Sequence, residues 1–499
     1  MRTVILFGFL VAVAMPVFAG TTPKEKPPEP KVEVVDVTRD SLLRVNSNNQ
    51  AFDFFQPWRK KPPFSRRGLG VLIDGGRILV TAELVANSNF IEIEKPATAQ
   101  KSSAVVERVD YDCNLAVLKP ADPAFIEGMR PVPLNGAVKV GSELEVLQLE
   151  PNGEIARTTG RVSSIGVGGY PFENLGLLVF KASVPLQQRD GSFTLPAVKD
   201  GKLVGLLMRY DARNQTAEIV PTPVVRHFLK EIEGGNYQGF ARLGIGFASL
   251  RDPQLRRHVK LAEPGGIYVT EVVPGGSAAL AGIRKGDVLL EIDGKAIDQD
   301  GNYEDPEFGR ILFGHITSTV LHPGAKVPVR ISRDGKIEEL TVVLNVPERS
   351  RVVSEAHMAD RAPRYFVLGG LVFVELSRAY LQEWGSDWAK SAPQRLVYYD
   401  AFQNELPEDR GKIVVLAQVL PTPDTLGYED LQNHVVERVN GRTVRRLEDL
   451  AAAAKEPVEG FHKIELEEDP KWIFLDAQSV EANRDGLKKH YALPALERF

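Results

Sequence analysis

Apolar and polar residues alternate over short stretches throughout residues 68–230, and glycine, proline, asparagine and aspartate separate these stretches. The apolar runs Val71–Ile73 and Ile78–Val80 flank the pair Gly75–Gly76, a pattern that predicts a β-hairpin. Apolar residues take on helical spacing only at the end of the region, where 221–233 predicts a closing helix. The region is therefore expected to be all β, as a sandwich or a barrel.

Two further units follow. Residues 240–346 open with the sequence LGIGF and continue with AGIRKGDVLLEIDG, and the spacing of Phe308, Ile311 and Leu312 predicts a helix near their middle. Residues 363–499 contain the strand-like sequence YFVLGGLVFVEL. The segment Val436–Val444 of this last unit has the same order of features as Leu289–Ile297 of the preceding one: an apolar strand, an Asn-Gly or Asp-Gly turn, a basic residue and an apolar residue. This faint repeat indicates two related units.

The remaining segments, 1–19, 20–50 and 347–362, are not expected to form folded domains. Residues 1–19 combine Arg2, an apolar run and a small-residue cleavage pattern, which is typical of a secretory signal peptide. Residues 20–50 and 347–362 are interpreted as linkers, which leaves 51–235 as the β domain. A periplasmic or secreted protein is expected, with no transmembrane segment after signal cleavage, because no later stretch approaches about 20 apolar residues.

Composition narrows the function further. The 499 residues are 43% hydrophobic, which is enough for several ordinary cores, and the net charge of −5 gives no indication of nucleic-acid binding. Cys113 is the only cysteine, so an intramolecular disulfide is excluded. The histidines after His227 show no metal-ligand spacing; surface or hinge roles are expected for them, and no metal or cofactor is predicted.

The sequence GLGVLIDGGRILVTAELVAN at 68–87, followed by LGIGF with AGIRKGDVLLEIDG and by YFVLGGLVFVELS, resembles the HtrA/Deg family of trypsin-like serine proteases, in particular its plant-type Deg subgroup. The resemblance implies a mostly β protein: a trypsin-like double β-barrel followed by two PDZ domains of α+β fold, the second of them divergent. It also implies a homo-oligomer, a trimer or a multiple of one.

A segment rich in aromatic and basic residues precedes the β domain, and it contains Phe52, Phe54, Phe55 and Trp58. Exposed aromatic clusters are costly, so a burial partner is expected. One interpretation is that these side chains cap the core of the following domain. The other comes from the resemblance, because HtrA-type proteins carry an aromatic segment here that packs protomers into a trimer.

The resemblance also indicates which residues occupy the family's catalytic positions, and at two of these positions the catalytic residue type is replaced. Glu83 stands where the family has its histidine, Asn114 stands where it has its aspartate, and counting back from the sequence DGKLVG puts Ser192 at the nucleophile. Phe193 and Thr194 replace loop glycines that shape the oxyanion hole, and the first histidine of the chain is His227, in the closing helix. A trypsin-type triad cannot be assembled from the β domain.

Other assignments of the chemistry are weaker. A buried Glu83 with a raised pKa could in principle accept a proton from Ser192, but it would lack the family's oxyanion hole. Asp112 could replace the lost acid, although an orienting carboxylate is of little use without an imidazole. Cys113 also lacks a neighbouring histidine, and a packing role is expected for it.

The stronger functional candidate is the first PDZ unit. PDZ domains bind a C-terminal peptide as an added strand, and backbone N–H groups of a glycine-bearing loop hold its carboxylate. By resemblance the loop is Leu243-Gly244-Ile245-Gly246, and the predicted pocket is completed by Phe247 and by a helix carrying Phe308, Ile311 and Leu312. The equivalent Gly369-Gly370-Leu371 in the last unit could be a relic of such a loop.

The sequence therefore predicts a catalytically inactive HtrA/Deg-like protein that binds C-terminal peptides or unfolded proteins as a chaperone, adaptor or scaffold. The alternative is an active serine endopeptidase that uses Ser192 with unconventional partners. A third possibility is a purely structural protein of the cell envelope.

Overall fold

The computed structural model describes residues 39–499 apart from 135–136, 151, 153, 173–175, 188–193, 263, 347–351 and 408. The predicted signal peptide and the first part of the predicted linker 20–50 lie outside the described residues. None of the described helices is both long enough and apolar enough to cross a membrane.

The β domain consists of two closed six-stranded antiparallel barrels, as the resemblance implied. Apolar residues fill both barrels because alternate strand positions point inward. The first barrel is built from β1 (Leu42–Asn49), β2 (Phe64–Ile73), β3 (Arg77–Thr81), β4 (Ser88–Glu94), β5 (Lys101–Asp110) and β6 (Leu115–Pro120), with the short helix α1 (Ala82–Val85) after β3. The second is built from β7 (Glu143–Leu149), β8 (Ile155–Gly169), β9 (Gly176–Ser183), β10 (Leu195–Lys199), β11 (Lys202–Asp211) and β12 (Thr216–Pro221).

The predicted hairpin and the predicted closing helix are both confirmed. Val71 pairs with Leu79 and Ile73 with Arg77, so β2 and β3 form the hairpin around Gly75 and Gly76. The helix α2 (Thr222–Glu233) follows β12, with Pro223 in its first turn. Because a proline lacks a backbone N–H, it is well tolerated at this position.

The third unit is a PDZ-like antiparallel sheet with the strand order β13-β14-β15-β19-β20 and β16 paired to β15. Its elements are β13 (Ile245–Ser249), α3 (Pro253–His258), β14 (Ile267–Val272), α4 (Ser277–Leu280), β15 (Val288–Ile292), β16 (Lys295–Ala296), β17 (Asn302–Asp305), β18 (Gly309–Leu312), β19 (Lys326–Arg333) and β20 (Lys336–Val343). A π-helical turn, Ile316–Val320, lies between β18 and β19. This unit is called PDZ1 below.

The last unit, called PDZ2, repeats this topology and adds two strands. Its elements are β21 (Tyr365–Leu368), β22 (Leu371–Glu375), α5 (Arg378–Leu381), α6 (Trp388–Ser391), α7 (Gln394–Ala401), β23 (Val414–Val419), β24 (His434–Val439), β25 (Arg442–Thr443), α8 (Leu447–Ala454), β26 (Phe461–Leu466), β27 (Trp472–Asp476), α9 (Ala477–Ala482), α10 (Arg484–His490) and β28 (Glu497–Arg498). The order β22-β23-β24-β26-β27, with β25 paired to β24, matches PDZ1 strand for strand.

A shared irregularity supports this correspondence. The β13–β14 register shifts between Gly246 and Phe247, and the β22–β23 register shifts between Val372 and Phe373. The two positions fall in the sequences LGIGF and GGLVF. The repeat detected in the sequence is therefore structural.

Three expectations need correction. Residues 42–49, assigned to the linker 20–50, form β1, which pairs with β2 and β4 and closes the first barrel. The predicted helix around Phe308 is instead the hairpin β17–β18, in which Tyr303 pairs with Ile311. Its apolar spacing fits a helix, but cross-strand pairing overrides that local preference.

The third correction concerns the aromatic segment, which packs against PDZ2 rather than capping the barrel core. The ring of Phe55 meets Trp384 edge-on at 4.9 Å, and Lys61 Nζ lies 2.7 Å from Glu383 Oε2. These contacts lie within one chain, so they provide the burial partner that the aromatic side chains require.

Candidate functional site

The catalytic positions of the resemblance lie where the first barrel meets the second. Thr81 pairs with Leu115, which brings the end of β3 beside the residue that precedes β6. As a result, the backbone N–H of Glu83 donates to Asn114 Oδ1 at 3.0 Å, and Asn114 Nδ2 donates to Glu83 Oε2 at 3.1 Å. Asn114 is fully buried and adopts a left-handed backbone conformation with φ of 53°, which asparagine tolerates better than most residues.

Burial raises the pKa of the Glu83 carboxyl, while the Asn114 hydrogen bond and the nearby Arg66 guanidinium oppose that shift. Arg66 donates to the backbone carbonyl oxygen of Glu83, and its own pKa is lowered by burial. The carboxyl thus takes part in a polar network that spans α1, β2 and the turn before β6.

The second barrel contacts the first near this network through Thr194, the residue before β10. Thr194 Oγ1 lies 2.6 Å from Thr81 Oγ1, and the backbone N–H of Leu69 donates to the Thr194 carbonyl at 3.0 Å. A Cβ at Gly68 would lie 3.0 Å from the Thr194 nitrogen, so the two barrels approach closely here. The proposed nucleophile, Ser192, lies outside the described residues.

A segment from the predicted linker 347–362 packs against the same region. Asp360 accepts a hydrogen bond from the Tyr111 hydroxyl, and it also exchanges two hydrogen bonds with Asn87 (2.6 and 2.9 Å). The ring of His357 lies 5.0 Å from the ring of Tyr111 and 5.8 Å from that of Phe172. We call residues 354–361 the strap.

The strap brings a buried imidazole to the β domain. His357 is 6% exposed, and its Nε2 lies 3.9 Å from Asp112 Oδ1. Sequence reasoning assigned it a surface or hinge role, and that expectation is wrong for His357 as well as for the buried His315 and His462. The sequence around His357 carries no signal for this buried position.

The two other groups considered for catalysis, Asp112 and Cys113, lie in surroundings that favour a structural role. The carboxylate of Asp112 lies 3.2 Å from Arg242 Nη2, at the start of PDZ1. Burial, together with Asp110 and Asp112, raises the pKa of the fully buried Cys113 thiol. A protonated, enclosed thiol is a poor nucleophile.

The predicted carboxylate loop of PDZ1 leads into β13, which lies at the edge of its sheet and pairs with β14 among the described strands. Gly244 has a left-handed φ of 77°, and its carbonyl accepts from the Val273 N–H at 2.9 Å. Leu243 is buried, whereas Ile245, Gly246 and Phe247 are half-buried. The loop therefore requires glycine at its turn and exposes part of the following strand.

The predicted second wall of the pocket is not a helix formed by Phe308, Ile311 and Leu312. The ring of Phe308 contacts Phe180 of the second barrel at 5.9 Å. Ile311 is 2% exposed and offers almost no surface to a ligand. Only Leu312 lies near β13, because both it and the Phe247 ring approach Gly301.

In PDZ2 the equivalent edge is covered by the chain itself. Val367 of β21 pairs with Val372 of β22, and β28 pairs in turn with β21. Gly370, in the relic loop, has a positive φ of 116°, and a Cβ there would lie 2.6 Å from the Leu420 carbonyl oxygen. The edge that is open in PDZ1 is therefore paired in PDZ2.

Comparisons with known proteins agree with this architecture. One PDZ domain family matches residues 354–497 and a second matches 268–306. The mitochondrial Protease Do-like 4 of Arabidopsis thaliana is 28% identical over 470 residues, which cover 93% of this chain and 86% of the relative. The chloroplastic Protease Do-like 2 of the same plant is 28% identical over 421 residues, which cover 83% of this chain and 67% of the relative.

A more distant relative and a solved structure extend the comparison. A protein named Serine protease DegP homolog from Plasmodium falciparum is 23% identical over 522 residues, covering 83% of this chain and 57% of the relative. An HtrA-type protease solved with a decapeptide superposes with a TM-score of 0.50 at 18% identity, over 63% of this chain and 97% of that one. At this low identity, the superposition shows that the two proteins share a fold and nothing about a shared function.

Proposed function

We propose that this chain, whose relatives and fold are those of HtrA/Deg proteins, is a non-proteolytic member of that family and binds C-terminal peptides or unfolded proteins through PDZ1. Its work would then be that of a chaperone, adaptor or scaffold. The domain assignment 51–235, 240–346 and 363–499 is part of this proposal, with β1 added to the first domain.

The hydrogen-bonded pair of Glu83 and Asn114 is the main support for the proposal that the chain is not a protease. In a serine protease the base must be free to take the nucleophile's proton and must be oriented by a carboxylate. Here the residue at the base position is a carboxyl that accepts from an amide, 3.1 Å away. The amide cannot stabilise a positive charge, and no imidazole is present to acquire one at this position.

One observation favours the alternative, an active serine endopeptidase. Burial raises the pKa of Glu83, and a raised pKa is what a carboxylate would need to act as a general base near neutral pH. The relatives are also named as proteases. Thr194 in place of a loop glycine argues against this alternative, because a β-branched residue is a poor occupant of the backbone conformations of an oxyanion hole.

The contrast between the two PDZ sheets supports peptide binding by PDZ1. A bound peptide must add to an open strand edge, and β13 lies at such an edge whereas β22 is paired on both sides. We therefore assign the ligand to β13, with its terminal carboxylate on the backbone N–H groups of Gly244, Ile245 and Gly246. Phe247 and Leu312 would contact an apolar terminal side chain.

Location and assembly also belong to the proposal. The sequence of residues 1–19 supports export to a periplasm or the cell exterior, whereas the plant relatives carry mitochondrial or chloroplastic in their names. Assembly into a homo-oligomer is proposed from the family resemblance.

A single pair of assays tests the proposal. The full chain is treated with a fluorophosphonate probe that labels activated serines, and its affinity for a fluorescent peptide with an apolar C-terminus is measured in parallel. The expected result is no labelling at Ser192 and saturable peptide binding. Labelling that disappears in Ser192→Ala would favour the endopeptidase, and a lack of peptide binding with no labelling would leave a structural role.

A further inference from the structure

The closing helix of the β domain meets PDZ1 through a cluster of histidine and glutamate side chains. His227 and Glu231 are four residues apart on α2 and therefore lie on one face of that helix. His322 comes from PDZ1, two residues after the turn Ile316–Val320. His322 Nδ1 lies 2.6 Å from Glu231 Oε1, and the rings of His227 and His322 stack at 4.0 Å.

Each ring nitrogen of His227 faces a backbone carbonyl oxygen. Its Nδ1 lies 3.0 Å from the Thr319 carbonyl oxygen, and its Nε2 lies 3.3 Å from the Gly239 carbonyl oxygen. A neutral imidazole carries one N–H, so it can donate to only one of these two acceptors. The other ring nitrogen then directs its lone pair toward a carbonyl oxygen, an arrangement that a cation would relieve.

We propose that His227, Glu231 and His322 form a binding site for a divalent transition-metal ion, Zn²⁺ in particular, at the contact between α2 and PDZ1. One ligand atom from each side chain lies within 4.8 Å of the others. In a tetrahedral zinc site with bonds of about 2.0–2.1 Å, ligand atoms are roughly 3.3 Å apart. The widest pair therefore has to close by at most about 1.5 Å.

The ligand set selects among metals. Two imidazoles and one carboxylate suit Zn²⁺ and its neighbours in the first transition row, whereas Ca²⁺ and Mg²⁺ prefer ligand sets made only of oxygen. The fourth position could be taken by water, because the His322 side chain keeps 27% of its surface exposed. The Thr319 carbonyl is a second source of a ligand atom.

Such an ion would act as a cross-link between two domains. Two ligands come from the β domain and one from PDZ1, so a bound ion stabilises the docked arrangement, by a free energy that rises with the logarithm of the ion concentration once that concentration exceeds the Kd. PDZ1 is the domain to which the proposed peptide site belongs. Zinc binding by these three side chains does not depend on peptide binding by PDZ1.

The test uses the full chain after chelation and dialysis. Zn²⁺ binding is measured by isothermal titration, and Co²⁺ is used as a spectroscopic substitute because tetrahedral Co²⁺ gives intense visible bands. We expect one saturable site per chain and the tetrahedral spectrum. His322→Gln and Glu231→Gln should each weaken Zn²⁺ binding at least tenfold and remove the spectrum.

Both substituted side chains are partly exposed, so neither variant opens a cavity in the core, and circular dichroism checks their folding. His258→Gln, at an exposed histidine in PDZ1, serves as the matched control and should bind like the wild type. Absence of a saturable site, or undiminished binding by both folded variants, would overturn the assignment.

Discussion

The side-chain amide of Asn114 forms two hydrogen bonds with Glu83. Its Oδ1 accepts from the Glu83 backbone N–H at 3.0 Å, and its Nδ2 donates to Glu83 Oε2 at 3.1 Å. In the family pattern these two positions hold the orienting aspartate and the catalytic histidine. An amide and a carboxyl therefore stand at the positions that the resemblance assigns to that aspartate and that histidine.

Asn114→Asp should destabilise the protein and should not create a protease. The substitution removes the donor to Glu83 and places a second carboxylate beside a buried one, a loss of about 1–3 kcal/mol or more. Because acidification neutralises one of the two carboxyls, the loss should shrink as the pH falls. Urea unfolding at several pH values measures this, with Asn236→Asp at an exposed site as the control.

The Glu83→Gln variant should gain stability relative to the wild type as the pH rises. The folded state raises the pKa of Glu83 above its ordinary value of 4.5, so it binds this proton more tightly than the unfolded state does. The contribution of Glu83 to stability therefore falls as the pH rises from 4.5 through the raised pKa, and glutamine does not titrate. A stability difference between the two proteins that stays constant from pH 4 to pH 8 would contradict the prediction.

His462→Gln should reduce the acid sensitivity of PDZ2. Burial lowers the pKa of His462 below 6.5, so the unfolded state takes up this proton first. Its contribution to stability is complete above pH 6.5 and is lost as the pH falls toward the lowered pKa, by at most about 1.4 kcal/mol per pH unit. Thermal unfolding between pH 7 and pH 5 should show a shallower decline for the variant, whereas His490→Gln, at an exposed site, should follow the wild type.

Gly244→Ala should weaken peptide binding by tenfold or more. A Cβ at this left-handed position is strained, so relief of that strain would shift the loop N–H groups, although the added Cβ would be in ordinary contact with the Val273 side chain at 3.4 Å. Gly282→Ala is the matched control, since Gly282 has a similar φ of 84° with open space around it. Binding is measured by fluorescence polarisation with free and amidated C-termini, and equal affinity for both peptides would exclude the carboxylate loop.

Asp360→Ala should release the strap from the β domain. The substitution removes the part-buried hydrogen bond from the Tyr111 hydroxyl and the exposed one from the Asn87 backbone N–H, whereas the bond from the Asp360 backbone N–H to Asn87 Oδ1 remains. Leaving the part-buried Tyr111 hydroxyl without its acceptor costs about 1–3 kcal/mol. Hydrogen exchange in residues 354–361 should accelerate while exchange in β26 stays unchanged. Unchanged protection of the strap would show that its remaining contacts, such as the hydrogen bond from Ser354 Oγ to Asp400 Oδ1, are sufficient to hold it.

The sequence predicted the architecture well because its signals were local or repeated. The hairpin around Gly75 and Gly76, the closing helix and the Asp-Gly and Asn-Gly turns of the two PDZ units are all set by neighbouring residues. Residues 42–49 were missed because their alternation is short and polar, and a barrel strand in that position depends on partners far away in the chain.

The contacts between domains could not be predicted in the same way. Nothing near His357 in the sequence indicates Tyr111 or Phe172 as its neighbours, and nothing near Phe55 indicates Trp384. The hairpin β17–β18 was mistaken for a helix because Ile311 and Leu312 fit both periods, and only pairing with β17 decides between them. Likewise, His227 and Glu231 have a recognisable spacing, but their third partner lies on another domain.

The central claim, that this chain has the HtrA/Deg fold without its proteolysis, is tested most directly by casein degradation. The purified full-length chain and its Ser192→Ala variant are incubated with fluorescent casein beside an active HtrA-type protease. The account predicts that both proteins release fluorescence at the same background rate, while the active enzyme digests the substrate. Casein cleavage by the wild type that is lost in Ser192→Ala would contradict it.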